Sequence, residues 1–312
     1  MNEYDVVIIG GGAAGLSAAL VLSRARRQVL VVDSGSPRNA PAAHMQGFLS
    51  RDGLAPTALL AAGRGEVAGY GGQFVAGTVT SVTAGADSRF QVQLAAGSRV
   101  SARRLLVATG LRDEIPDIPG LRERWGRDVL HCPYCHGWEV SGQRLGVLAD
   151  GSPGSVRYAH IVRQWTDDLI LFVPAGRLTG GQRDGLTARA IDIVQAGVNR
   201  IAVADGHLAG VQLDDGRLVR RDALFVPPRF VPNDALLVAL GCESTEDGWV
   251  VTGPDGRTTA AGVWAAGNVV NPRAQVITAA GEGSAAAIAI NADLVAEDVR
   301  DAVNAQGRVT VP

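Results

Sequence analysis

The stretch Gly10-Gly11-Gly12-Ala13-Ala14-Gly15 constrains this chain more than any other. It follows a short β-branched run, Tyr4 to Ile9, and opens into Leu16 to Arg24, whose spacing and composition are helical. A second strand, Gln28 to Val32, ends in Asp33, eighteen positions after Gly15. Strand, glycine turn, helix, strand and acid at these separations describe a dinucleotide-binding unit. Gly10 makes the tight turn, Gly12 lets the backbone approach a pyrophosphate, Gly15 allows helix and strand to pack closely, and Asp33 binds ribose hydroxyls. The helix N-terminus, at Ala13 and Ala14, offers unpaired N–H groups and partial positive charge to the phosphates. The motif does not decide between FAD and NAD.

At 312 residues the chain is long enough for two domains of ordinary size. Its net charge of -2 argues against a nucleic-acid or anionic-membrane partner. All 29 basic residues are arginine, which removes Schiff-base chemistry and a lysine phosphate loop. Three cysteines do not make a disulfide-stapled scaffold. The apolar segment between Asp5 and Arg24 is preceded by acidic Glu3 and Asp5, where a signal peptide needs positive charge, so a cytoplasmic protein is expected.

Ser34, together with Arg38, Asn39 and Gln46 of the polar loop Ser36 to Gly53, is expected beside the cofactor. Gly72 to Val82, Arg89 to Leu94 and Val100 to Val107 alternate apolar and polar residues and predict strands of a small sheet, the last running into Ala108-Thr109-Gly110. Pro116 and Pro119 mark a linker. A second strand, loop and helix unit follows. Its strand is Arg144 to Leu148, its loop Ala149-Asp150-Gly151-Ser152-Pro153-Gly154, its helix lies near Ser155 to Trp165, and its next strand is Leu169 to Val173. Pro227, Pro228 and Pro232 make another crossing. Gly262 to Asn268 then reads as a strand ending in a glycine turn, before a long Ala-rich helix from about Gln275 to Val299. Gly267, Asn268, Ala274, Gln275 and Val276 are further candidate cofactor contacts, with the helix dipole toward the cofactor.

The chemistry is expected in His131-Cys132-Pro133-Tyr134-Cys135-His136-Gly137-Trp138-Glu139. Cys132 and Cys135 have the spacing of a redox pair, able to close and reopen a small disulfide ring by thiol exchange. His131 and His136 can take or give a proton near neutral pH. Cys132 to His136 also spells the attachment motif of c-type haem, but that requires export and usually an axial ligand such as Met, and the only methionines are Met1 and Met45. A structural zinc needs four ligands, and Cys242, His160 and His207 are scattered. An inert buried pair suits these polar surroundings poorly.

Four motifs therefore stand in one order: Gly10 to Gly15 with Asp33, Ala108-Thr109-Gly110, Cys132-x-x-Cys135, and Gly262 to Asn268 leading into Arg273 to Gly281. That order resembles the low-molecular-weight thioredoxin reductases over essentially the whole chain. The resemblance implies an α/β fold of two Rossmann-like (FAD/NAD(P)-binding) three-layer domains, the second inserted into the first. Residues 1–114 and 233–312 would form the FAD domain, and 115–232 a nicotinamide-type domain carrying the cysteines. It implies FAD as cofactor, a homodimer, Cys135 as the flavin-proximal sulfur and Cys132 as the one that meets substrate.

The departures point to a branch. His136 replaces the Asp that follows the second cysteine in thioredoxin reductases, and Asn268 replaces the Asp of the Gly-Asp flavin contact. Ala149 stands where the first fingerprint glycine of the inserted domain belongs, with Asp150 beside the expected pyrophosphate position, and Pro174 to Arg177 lacks the arginine cluster that grips NADP. A degraded nicotinamide site beside an intact flavin motif and cysteine pair resembles the dithiol oxidases that close disulfides in gliotoxin- and holomycin-type natural products. The implied reaction is oxidation of a small-molecule dithiol through Cys132–Cys135 to FAD, with molecular oxygen as final acceptor and peroxide as product. His136 and His131 would take the thiol protons. A disulfide reductase fed by NAD(P)H or ferredoxin and a non-catalytic flavin-binding redox sensor are the rival readings.

Overall fold

The computed structural model describes residues 2–85 and 89–309, with side chains through residue 306. The backbone divides into two compact units: Met1–Ala40, Ala55–Arg112 and Val231–Pro312 form the first, Pro41–Leu54 and Asp113–Phe230 the second. The second unit is thus inserted in the first. The loop 41–54, expected with the cofactor domain, groups with the inserted unit instead.

In the first unit, the strand Asn2–Ile9 lies between Val29–Asp33 and Arg99–Val107, parallel to both. Gln73–Ala76 extends the parallel sheet at one edge. Arg99–Val107 serves two partners in succession: its first half pairs antiparallel with Phe90–Leu94, and its second half pairs parallel with Val263–Ala265. The central strand is buried on both faces, so its side chains alternate between two cores. Val7 and Ile9 join one, with Leu105, Val107 and Val263. Val6 and Ile8 join the other, with Leu106, Trp264 and the small residues of two helices.

Those helices are Ala13–Arg24 and Val276–Val309. The second continues ten residues past the expected end at Val299, because no proline or glycine intervenes before Gly307. The stretch predicted as one strand, Gly72 to Val82, is two: Gln73–Ala76 continues the parallel sheet, and after a break at Gly77 and Thr78, Val79–Ala84 pairs antiparallel with Phe90–Leu94.

In the inserted unit a five-stranded parallel sheet runs in the order Ile191–Gln195, Leu169–Val173, Leu145–Leu148, Ala223–Phe225, Val129–Leu130. A three-stranded antiparallel sheet, Val198–Ala204, His207–Leu213 and Leu218–Val219, packs against one face through Ile201, Leu208, Val211 and Leu213. The helix Pro153–Val162 covers the other with Val156, Ala159 and Val162, and begins with proline in its first turn as expected.

Candidate active site: a cysteine pair and a dinucleotide cradle

The glycines of the first turn separate by what surrounds them. A Cβ on Gly10, whose φ is +107°, would lie 2.3 Å from the Ala108 carbonyl oxygen, and one on Gly15 would lie 1.9 Å from that of Gly10. These two are required by backbone packing, and the first brings Ala108-Thr109-Gly110 against the turn. Gly12, by contrast, faces open space, and the helix Ala13–Arg24 that follows has no side-chain cap. First-turn amides beside free space are what a pyrophosphate needs. Asp33 accepts from the Gly11 N–H at 3.1 Å, and its other oxygen pairs with Arg64 of the helix Pro56–Gly69. Arg64 also lies over the Phe74 ring and was not foreseen from sequence.

A second loop closes on this turn. Gly267, with φ +77°, would carry a Cβ 3.0 Å from that of Ala14. The side chain of Asn268 donates through Nδ2 to the carbonyls of Asn271 at 2.9 Å and Ala274 at 3.0 Å, while its Oδ1 accepts from Arg38 at 3.4 Å. An aspartate there would set an acceptor against two carbonyl oxygens, which explains the amide in place of the family's acid. Glu282 holds the loop from beneath, accepting from the Gly267 N–H at 2.9 Å and Asn271 Nδ2 at 2.6 Å. It is the only charged residue between Val276 and Ile290, and that isolation was a signal available in the sequence. Gly283 lets the long helix touch the first: its Cβ would fall 2.0 Å from the Ala14 carbonyl oxygen. Thr109 donates through Oγ1 to the Asn233 carbonyl at 2.7 Å, and Asn233 Nδ2 donates back to Thr109 O at 2.9 Å. Ser34 is exposed just beyond Asp33, Asn39 is half-buried in the turn after Arg38, and Gln275 and Val276 are half-buried where the long helix begins. Gln46 belongs to the inserted unit.

Cys132 and Cys135 form a disulfide, with Cα atoms 5.2 Å apart. Cys132 caps the short helix Pro133–His136, and its Sγ accepts from the Cys135 N–H at 3.1 Å. The same N–H would stabilise a Cys132 thiolate once the pair is reduced. Gly137 is fixed by packing, since a Cβ would lie 2.7 Å from the Trp165 ring. Burial holds the His136 imidazole below its ordinary pKa, partly offset by the carboxylate of Glu139, so it is neutral near pH 7 and free to accept a proton. His131 is placed differently: its ring stacks on Trp125 at 5.8 Å and meets the edge of Phe230 at 6.3 Å, while its carbonyl accepts from Tyr158 at 2.6 Å.

The equivalent glycine turn of the inserted unit is filled by its own side chains. Asp150 Oδ1 accepts from the Ser152 N–H at 2.9 Å, and Ser152 Oγ caps the helix by accepting from Ser155 N at 3.3 Å. The Ser152 hydroxyl, then the Ser152 N–H and the Ser155 hydroxyl, hold the Asp150 carboxyl below the usual range, fixing negative charge at the turn. Gly151, with φ +86°, is backed by Arg177, whose Cβ would be 2.5 Å from an added Cβ, and Gln182 Nε2 donates to its carbonyl at 3.3 Å.

One open dinucleotide turn, one filled turn and a disulfide in a C-x-x-C helix define a flavin-dependent disulfide oxidoreductase. The pyridine nucleotide-disulphide oxidoreductase profile matches residues 4–162 and 177–283. Thioredoxin reductase sirT of Leptosphaeria maculans is 32% identical, over 95% of this chain and 96% of its own. Thioredoxin reductase tcpT of Claviceps purpurea is 34% identical over 86% and 87%. Among solved structures, that of HlmI superposes with a TM-score of 0.95 at 58% identity, covering 98% of this chain and 97% of that one. The chain belongs to the pyridine nucleotide-disulphide oxidoreductase family and is thioredoxin reductase-like within it. Its cofactor is FAD, which the open turn, the uncapped helix and the Gly267 loop of the first unit fit.

Proposed function

We propose that this protein closes disulfides in small-molecule dithiols. A substrate thiolate attacks Cys132 Sγ, breaking the Cys132–Cys135 bond and forming a mixed disulfide, and Cys135 leaves as thiolate. The substrate's second thiol, on losing its proton, displaces Cys132 and closes the product disulfide. His136, neutral at working pH, takes one of the two protons. The Cys135 N–H supports the negative charge that develops on Cys132. Bound FAD supplies the two-electron acceptor for the reduced pair, and with oxygen as terminal oxidant the net conversion is dithiol plus oxygen to disulfide plus hydrogen peroxide.

The observation that carries this reading is the contrast between the two turns. The turn at Gly12 is open and uncapped, whereas the amides at Ser152 and Ser155 are already bonded within their own loop and Asp150 adds negative charge there. A nicotinamide dinucleotide would have to displace those bonds and meet a carboxylate. Relatives named thioredoxin reductases favour, as second reading, a reductase drawing electrons from NAD(P)H. A homodimer and a cytoplasmic location belong to the same proposal. Oxygen uptake with a dithiol tests it: the wild type consumes oxygen and releases peroxide, and Cys132→Ser consumes none. Cys135→Ser, left with a lone Cys132 thiol and no disulfide for the substrate to attack, consumes none either. It forms a mixed disulfide at Cys132, detectable by mass, only when the oxidised disulfide product is added and Cys132 opens it. Undiminished uptake by either variant refutes the scheme.

A further inference from the structure

The inserted unit contains a cavity of about 370 Å³ that neither the disulfide chemistry nor the dinucleotide turns account for. Its apolar walls are Trp125, Ile115 and Pro41. Gly126, with φ +77°, seats the turn against Pro41, since its Cβ would lie 3.0 Å from that ring. The turn is pinned from below: buried Arg124 pairs with Asp128, whose Oδ2 also accepts from Leu208 N at 2.8 Å. The other two arginines of the turn, Arg122 and Arg127, line the cavity, and among the described residues neither has a carboxylate partner. Of the acids at the rim, Asp113 is already engaged and Glu123 is exposed.

What connects this cavity to the chemistry is Trp125. The indole that walls it is stacked on His131, which precedes Cys132, and the strand Val129–Leu130 carries the chain directly from the turn to that histidine. We propose that the cavity seats the ring of the substrate. The occupant is a small, flat dithiol with a carbonyl or carboxylate acceptor, its ring against Trp125 and its acceptor on Arg122 and Arg127. The volume falls at the low end of the roughly 300–1,000 Å³ of small-molecule sites, which suits one or two rings. The inference rests on the dithiol reading above and adds where the substrate is held and by what.

The test compares three dithiols with the FAD-loaded protein, without oxygen, by the concentration dependence of flavin bleaching. Toluene-3,4-dithiol is flat, 3,4-dimercaptobenzoate is flat with an acceptor, and dithiothreitol is neither. The wild type should bind the flat dithiol about tenfold tighter than dithiothreitol, and the carboxylate about tenfold tighter again. Trp125→Ala should collapse the first ratio toward one, with Trp125→Phe restoring most of it. Arg122→Gln with Arg127→Gln should collapse the second. These arginines are exposed, so that double variant keeps the test intact if Trp125→Ala fails to fold. Ratios unchanged in the variants overturn the proposal. Normal ratios without oxygen turnover would leave the cavity assigned and refute the oxidase reading, and turnover with no preference among the three would do the reverse.

Discussion

Replacing Glu282 should loosen the flavin loop by an amount the geometry sets. Its carboxylate accepts two hydrogen bonds, from the buried Gly267 N–H at 2.9 Å and from Asn271 Nδ2 at 2.6 Å. Bonds to a charged acceptor contribute about 1.5–3 kcal/mol each, and Glu282 is half-buried, so the lower figure applies and Glu282→Ala should cost about 3 kcal/mol. Glu282→Gln keeps one acceptor but turns an amide donor toward the other donor, so its loss should be about half as large. Because the loop includes Gly267 and Asn268, part of the loss should appear as cofactor affinity. We expect FAD to bind roughly 10- to 100-fold more weakly to Glu282→Ala, at about 1.4 kcal/mol per tenfold. Urea unfolding of the apoprotein and flavin fluorescence titration measure the two. A Gln variant as damaged as the Ala variant, or an Ala variant within about 0.5 kcal/mol of wild type, would refute the reasoning.

Two further outcomes depend on pH. His136 is held below the ordinary histidine value by burial, so the dithiol-driven rate should begin to fall only below pH 6.5. Glu139→Gln, removing the charge that props that value up, should move this acid limb lower still, and His136→Ala should abolish it and shift the optimum upward, as read from a pH profile of flavin bleaching. Asp298 is held below the usual carboxylate value by hydrogen bonds from Arg103 and then Arg27. Its folded pKa is depressed, so its stabilisation is complete above the ordinary value of 3.8 and drains away as pH falls through the folded value. The melting temperature should therefore drop below about pH 4, and less steeply in Arg103→Gln, as seen by calorimetry.

Much of this was legible in the chain because local spacing dictates it. The Gly10 to Gly15 turn, Asp33 and the cysteine pair each depend on residues within one strand-turn-helix segment, and the unbroken β-branched run Val6 to Ile9 marks a strand buried on both faces. What escaped depends on contacts made across long separations. Arg64 reaches Asp33 from a helix 31 positions on, and Gly283 meets Ala14 only because two helices cross on one face of the sheet. Asn268 reads in sequence as a hydrogen-bonding side chain without the family's charge, and its amide bonds with two carbonyls show what the substitution gains. His131 and His136 both read as proton carriers in sequence; the structure stacks the first on Trp125 with the edge of Phe230 against it, and buries the second enough to hold its pKa below the ordinary value.

The central claim is the direction of electron flow, and anaerobic stopped-flow absorbance of the FAD-loaded protein tests it most directly. If Asp150, Ser152 and Arg177 fill the second turn as described, a nicotinamide dinucleotide forfeits charge-assisted phosphate bonds that contribute on the order of 3 kcal/mol. A small dithiol should then bleach the flavin at least about a hundredfold faster than NADPH at equal concentration. Bleaching by NADPH as fast as by the dithiol would contradict the account and make the protein a reductase.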